Sequence, residues 1–206
     1  MLLKKGLLRR AKLYLILDRQ VNDYDRLLEI ARQSAFGVDM IQLRDKKGCA
    51  RDILNFSRKI LEMLRGRLPF IVNDRVDLAV AAGADGVHLG QEDLPLKEAR
   101  RMMGSRAIMG VSCQNYEQAR RAERDGADYI GFGSVFSTLT KPGRSPMNLQ
   151  LLRKAARDIR IPVFAIGGIT PAHISNLRVL GVERFAVCRA ICKARNIEEA
   201  VREFQE

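Results

Sequence analysis

Apolar residues along this chain come in short runs that alternate with longer amphipathic stretches. The short runs are "KLYLILD", "VDMIQLRD", "PFIVND", "DGVHLG", "AIMGVSC", "DYIGFGSV", "PVFAIGG" and "RFAVCRA". They are rich in β-branched and aromatic residues and too apolar for half-exposed antiparallel edges, which predicts parallel strands covered by helices. Between them lie segments of helical period: "YDRLLEIARQSAF", "ARDILNFSRKILEMLR", "RVDLAVAAG", "LKEARRMMG", "YEQARRAERDG", "NLQLLRKAARDI", "PAHISNLRVLG" and "NIEEAVREFQE". Gly83, Gly104, Gly126 and Gly181 close several of these segments, as expected of C-terminal caps.

Eight strands and eight helices in alternation account for the 206 residues. An open doubly wound sheet also alternates, but usually stops at about five or six strands. Eight predicts a closed α/β structure, a single (β/α)8 TIM barrel over residues 1–206, with no linker, low-complexity tract or second domain. In such a barrel the loops after the strands converge on one mouth. Reading those positions gives Gln42, Arg44 and Lys46 after the second strand, Asn73 and Asp74 after the third, and His88 and Asp93 at the fourth. Ser112 follows at the fifth, Thr138, Thr140 and Lys141 after the sixth, Gly167-Gly168 after the seventh and Cys188-Arg189 after the eighth.

Two of these strands end in acid-bearing polar residues, Asn73-Asp74 and Gln91-Glu92-Asp93. On adjacent strands, Asp74 and Asp93 could hold a hard divalent ion, and magnesium favours a few carboxylates, waters and substrate phosphate oxygens. Arg44, Lys46 and Lys141 would complete a clamp on a diphosphate. Arg44 and Lys141 are then expected to matter for rate rather than for folding. The plainer alternatives are that Asp74 and Asp93 cap the helices they precede, and that Arg44-Asp45-Lys46 is a solvated loop. No Ser-His-acid arrangement occurs among the strand ends, and no thiol is paired there with a histidine. "AIGGIT" and "AVCRAI", each leading into a helix, offer backbone N–H groups for a second anion of the phosphate monoester type. A tight turn would use the same glycines.

Composition narrows the classes. Hydrophobic residues make up 47% and charged residues 29%, as in a soluble globular protein. No apolar run approaches the roughly 18–20 residues needed to span a bilayer. In "MLLKKGLLRRAKLYLILD" the basic residues interrupt the leucines and no small-residue cleavage site follows, so a cytoplasmic protein is expected. Cys49, Cys113, Cys188 and Cys192 show no CxxC spacing and no clustering with His88 or His173, which reads as buried or incidental thiols. The net charge of +12 suits nucleic acid, an anionic membrane surface or phosphorylated substrates, but the arginines are spread at helical spacings like solvated helix faces.

"QLRDK", "VNDRVDLA", "GADGVHLGQEDLP", "GVSC", "GADYIGFGSVFSTLTK", "IPVFAIGGIT" and "AVCRAI" resemble, in order and spacing, the thiamine-phosphate synthase family over essentially the whole chain. The resemblance implies a (β/α)8 barrel that joins a hydroxymethylpyrimidine diphosphate to a thiazole phosphate and releases diphosphate. The reaction it implies is a magnesium-assisted dissociative substitution, with loss of diphosphate and capture of the pyrimidinylmethyl cation by the thiazole nitrogen. By motif, Gln42, Asn73 and His88 would contact the pyrimidine. Arg44, Lys46, Asn73, Ser112 and Lys141 would hold the diphosphate, and Asp74 and Asp93 the magnesium. Thr138, Thr140, Gly168, Cys188 and Arg189 would surround the thiazole phosphate.

The chain departs from the family pattern at Cys188-Arg189, where a small apolar residue and Ser are usual, at Ser134 in place of a common Pro, and in "KPGRSPMNLQ", which lacks the Gly usual before the next helix. A thiazole tautomerase-like paralogue shares the barrel, but such relatives usually lose the diphosphate and magnesium residues retained here. A non-catalytic basic barrel that binds nucleic acid or another ligand is the rival from another class. Aromatic content of 6%, no Trp and no nucleic-acid motif count against it. The expected partners are the small-molecule substrates, without nucleic acid or membrane, and a homo-oligomer is compatible with the sequence.

Overall fold

The computed structural model describes residues 2–138 and 145–205. Its strands are β1 (Leu13–Asp18), β2 (Met40–Arg44), β3 (Phe70–Asn73), β4 (Gly86–Leu89), β5 (Ile108–Cys113), β6 (Tyr129–Phe132), β7 (Val163–Ile166) and β8 (Phe185–Val187). All pair in parallel and in chain order, and β1 pairs with β8 to close the barrel. The helices are α1 (Leu2–Arg10), α2 (Tyr24–Ser34), α3 (Ala50–Leu64), α4 (Val76–Ala82), α5 (Leu96–Met103) and α6 (Tyr116–Arg124). They continue with α7 (Leu149–Asp158), α8 (Ile174–Val179), α9 (Arg189–Cys192) and α10 (Ile197–Glu203), and a 3-10 turn, Pro171–His173, precedes α8.

Local chemistry sets the helix ends. Asp23, Asn115, Asn148 and Asn196 each accept a hydrogen bond from a backbone N–H in the first helical turn, at 2.8, 2.9, 2.8 and 3.1 Å. The expected glycine stops are all in the left-handed region, Gly83 at φ 74°, Gly104 at 82°, Gly126 at 89° and Gly181 at 80°. At the N-terminal end of the barrel a repeated device fixes register. Asp39, Asp85 and Asp128, each one residue ahead of an even-numbered strand, accept backbone N–H bonds from Leu13, Phe70 and Met109 on the preceding strands, all at 2.9 Å. The repeat is visible in the sequence as "GVD", "GAD" and "GAD".

The core has two layers. One lies between strands and helices. The other fills the barrel with Tyr14, Ile16, Met40, Ile71, Tyr129 and Phe164. Leu8 of α1, 2% exposed, and Ala11, 1% exposed, pack onto this inner layer and close its lower end.

Three expectations need correction. The alternation predicts eight helices, but ten are present among the described residues, with the 3-10 turn besides. α1 escapes the pattern because "LLKKGLLRR" breaks its apolar face with two basic pairs and a glycine. The run "RFAVCRA" is a strand only to Val187; Arg189 opens the short α9. The capping alternative for Asp74 also fails, since the α4 cap is Arg75 and no side chain caps it. Among the described residues no helix is long and apolar enough to cross a membrane.

Candidate active site

The C-terminal ends of the strands enclose a cavity of about 430 Å³. Gln42, Arg44, Asn73, His88 and Ser112 line it from β2 to β5, and Thr138, Gly168, Cys188 and Arg189 line it from the opposite side. Lys46, Asp74 and Asp93 are not in its wall but form their own cluster, with Lys46 Nζ 2.9 Å from Asp74 Oδ2 and Asp93 near enough to Asp74 to raise its carboxyl pKa. Thr140 and Lys141 lie outside the described residues.

Inside the barrel the polar side chains form one chain of hydrogen bonds. Gln42 Nε2 donates to the Tyr14 hydroxyl at 2.5 Å, and the Tyr14 and Tyr129 hydroxyls are 2.8 Å apart. Tyr129 Oη lies 3.1 Å from His88 Nδ1, and His88 Nε2 lies 2.9 Å from Ser112 Oγ. Strands β1, β2, β4, β5 and β6 contribute one member each. Burial drives the Tyr14 and Tyr129 hydroxyls above their ordinary pKa, so both stay neutral and relay hydrogen bonds rather than charge. Gly110 is the cradle for this chain, because a Cβ there would collide with the Tyr129 ring end and lie 2.5 Å from His88 Nδ1. Ser112 is braced further through its carbonyl, which accepts from Gln91 Nε2 at 2.6 Å.

At the cationic side, Arg44 Nη1 donates to Asp18 Oδ2 at 2.6 Å and to Gln20 Oε1 at 3.3 Å. The Asp18 carboxylate is 0% exposed and also accepts the Gln20 N–H at 2.9 Å. Asp18 ends β1 and is absent from the set read off the sequence, although the same strand-end rule selects it. Tyr14 and Tyr129 were also missed, because strand aromatics look like ordinary core in a sequence. Arg44-Asp45-Lys46 is not a freely solvated loop: Asp45 accepts from the Tyr24 hydroxyl and from the Lys47 and Gly48 N–H groups at 2.8, 2.9 and 2.7 Å.

The Asp74–Asp93 pair carries an electrostatic conflict. Burial, then the hydrogen bond and charge of Asp93, raise the Asp74 carboxyl above the usual carboxylate range, and Lys46 offsets this only in part. Asp74 also holds a left-handed backbone, φ 60°, which a non-glycine residue adopts rarely and mostly in turns or functional sites. Two crowded carboxylates are a donor set that fits a hard divalent cation held by few protein ligands. Among the described residues no group of three or more His, Cys, Asp or Glu side chains converges.

Across the mouth, Gly167 and Gly168 take φ 105° and 64°, so their backbone turns where an L side chain is strained. A Cβ on Gly167 would also strike Ser134. Arg189 is half-buried in the cavity wall beside them and has no ion-pair partner among the described residues.

Fold and mouth together define a (β/α)8 barrel of the kind whose strand-end loops bind phosphorylated small molecules. Residues 13–191 match the family model TMP-TENI, thiamine monophosphate synthase, and the chain belongs to that family. It is 45% identical over 188 residues to the thiamine-phosphate synthase of Gloeobacter violaceus, covering 90% of this chain and 54% of that protein. It is 40% identical over 186 residues to that of Methanobrevibacter smithii, covering 89% of this chain and 88% of that protein. The chain thus spans about half of the first relative and most of the second. Thiamine phosphate pyrophosphorylase from Pyrococcus furiosus superposes with a TM-score of 0.85 at 35% identity, covering 97% of this chain and 96% of that one.

Proposed function

We propose that the chain is a thiamine-phosphate synthase, a transferase that couples hydroxymethylpyrimidine diphosphate to a thiazole phosphate and releases diphosphate. The observation that carries this reading is the mouth itself. Residues from separate strand ends, selected as pyrimidine, diphosphate and thiazole-phosphate contacts, line one cavity with the Asp74–Asp93 pair beside it.

Gln42, Asn73 and His88 orient the pyrimidine, with His88 and Gln42 held in place by the tyrosine chain behind them. Arg44, Lys46 and Ser112 hold the diphosphate, joined by Lys141, and stabilise the negative charge that grows on it as the C–O bond breaks. Asp74 and Asp93 are the residues that would hold magnesium, which when bound supplies charge neutralisation to the diphosphate oxygens. Thr138, Thr140, Gly168, Cys188 and Arg189 place the thiazole phosphate so that its nitrogen faces the pyrimidinylmethyl carbon. Loss of diphosphate leaves a stabilised cation that this nitrogen captures. A dissociative substitution of this kind needs neither a strong base nor a protein nucleophile, and none is assigned here.

The test is a coupling assay with both substrates and magnesium, reading thiamine phosphate directly. Thiamine phosphate formed at the expense of both substrates is the expected result. Isomerisation of the thiazole without coupling would replace this reading with the tautomerase one.

A further inference from the structure

The far end of the barrel holds a second concave site. A cavity of about 550 Å³ opens between α1, the end of α7 and the segments that enter β7 and β8. It lies opposite the mouth, since Asp128 and Arg184 in its wall immediately precede β6 and β8. Lys5, Arg9, Arg160 and Arg184 line it against Asp128 and Glu183. Both acids are already engaged: Asp128 pairs with Lys5 at 2.8 Å and with Arg100 at 2.7 Å, and Glu183 faces Lys12 at 3.9 Å. Among the described residues Arg9, Arg160 and Arg184 have no ion pair, so three positive charges at one cavity are left uncompensated.

Arg184 supplies the sharper observation. Its Nη2 donates to the Arg9 carbonyl at 3.0 Å, which anchors the guanidinium against the end of α1. Its Nε is shut off from solvent and has no hydrogen-bond partner. A buried N–H left without an acceptor is costly, so the Arg184 side chain gains by turning that edge toward an acceptor in the cavity. Half-buried Ile161 and Pro162 add an apolar patch to the wall, backed by buried Leu8, Ile159 and Val182. Three arginines around an apolar patch form a recess rather than a flat basic strip. Its shape and chemistry suit a small amphipathic anion better than a nucleic-acid backbone or a bilayer surface.

We propose that this cavity is a second ligand site, separate from the mouth, that takes an organic phosphate monoester. The phosphate lies between Arg184, Arg160 and Arg9, whose planar forks match its oxygens, and the apolar body of the ligand lies on Ile161 and Pro162. Leu8, behind this wall, is also the plug of the inner barrel core that carries Tyr14 and Tyr129.

Two measurements test it. Crystals soaked in 4-iodophenyl phosphate locate the site by the anomalous signal of iodine. A peak between α1 and the segments entering β7 and β8 is expected, and peaks confined to the mouth overturn the proposal. In solution, phenyl phosphate is titrated calorimetrically into the wild type, Arg160→Ser and Arg184→Gln. Loss of one charge-assisted contact should weaken the second class of site by about tenfold or more in each variant, with coupling activity unchanged. Arg160 is exposed, so its variant keeps the fold even if Arg184→Gln loosens α1. Equal affinity in the wild type and Arg160→Ser, or tighter binding of inorganic phosphate than of phenyl phosphate, would overturn the assignment.

Discussion

Replacing Arg44 by alanine should unfold this barrel more readily as well as slow it. The guanidinium is 9% exposed and lies 2.6 Å from a carboxylate, Asp18, that is 0% exposed. Truncating Arg44 leaves that carboxylate with the Gln20 N–H at 2.9 Å as its one remaining hydrogen-bond donor among the described residues. Removing one partner of a buried pair costs about 3–5 kcal/mol, because the stranded charge keeps its desolvation penalty. At a urea m-value of about 3 kcal/mol/M, that moves the unfolding midpoint down by about 1–1.7 M. The whole stability of a domain is only about 5–15 kcal/mol, so Arg44→Ala should be soluble yet markedly weakened.

The assay is urea unfolding of the wild type, Arg44→Ala, Asp18→Asn and Asp18→Asn/Arg44→Ala. With Asp18 neutral, loss of the arginine no longer strands a charge. The double variant should therefore be less destabilised than the sum of the singles, by an interaction energy of about 1–3 kcal/mol. Additive effects, or a midpoint shift in Arg44→Ala below about 0.3 M at an unchanged m-value, would refute the argument and return Arg44 to a purely ligand-facing role.

The remaining predictions follow from the same geometry. Magnesium should raise the melting temperature of the wild type and be required for turnover, and Asp74→Asn or Asp93→Asn should abolish the first effect and strongly weaken the second; an unchanged magnesium response in both variants removes the shared-cation reading. Gly110→Ala should cost about 1–3 kcal/mol by overpacking and break the His88–Ser112 contact, seen as a lower unfolding midpoint together with a lower kcat; a variant with wild-type values for both would show the cradle to be unnecessary. For Asp45, burial works against ionisation, but the N–H of Lys47, the Tyr24 hydroxyl and the N–H of Gly48 outweigh it and hold the carboxyl below its usual range. That stabilisation is present above the unfolded value near 3.9 and is lost as pH falls through the lower folded value, so Asp45→Asn should be less stable than the wild type at pH 7 and approach it in acid; a pH-independent gap refutes this. Arg189→Ser should raise KM for the thiazole phosphate and leave kcat unchanged, the signature of lost uniform binding; unchanged kinetics would mark Arg189 as a bystander.

The barrel was legible because its period is carried by residues that have little choice. Fully apolar strand runs and the glycine stops each follow from local chemistry, and the structure keeps all four glycines at positive φ. α1 was not legible for the opposite reason. Its helicity depends on Leu8 and Ala11 reaching the inner core and on Arg9 and Lys5 meeting groups a hundred or more residues away, Arg184, Ser105 and Asp128. Those contacts exist only after the barrel closes, and no local pattern announces them.

The site divides along the same line. A strand-end rule needs the topology alone, and it brought Gln42, Asn73, His88, Ser112 and Arg189 to one cavity. It says nothing of what stands behind each residue. Arg44 looked like a free clamp because its partner lies 26 positions earlier in the chain. Yet Asp18 and Arg44 are the facing last residues of β1 and β2 in the parallel register. Opposite charges at register-paired strand ends point to the same face of the sheet and so meet each other. A pairing of that kind is therefore a testable signal in sequence, provided the register is fixed first. Here the Asp39 carboxylate fixes it by holding the N–H groups of Lys12 and Leu13 at the lower end of β1. The ion pair at the mouth is thus set by a hydrogen bond at the opposite end of the same two strands.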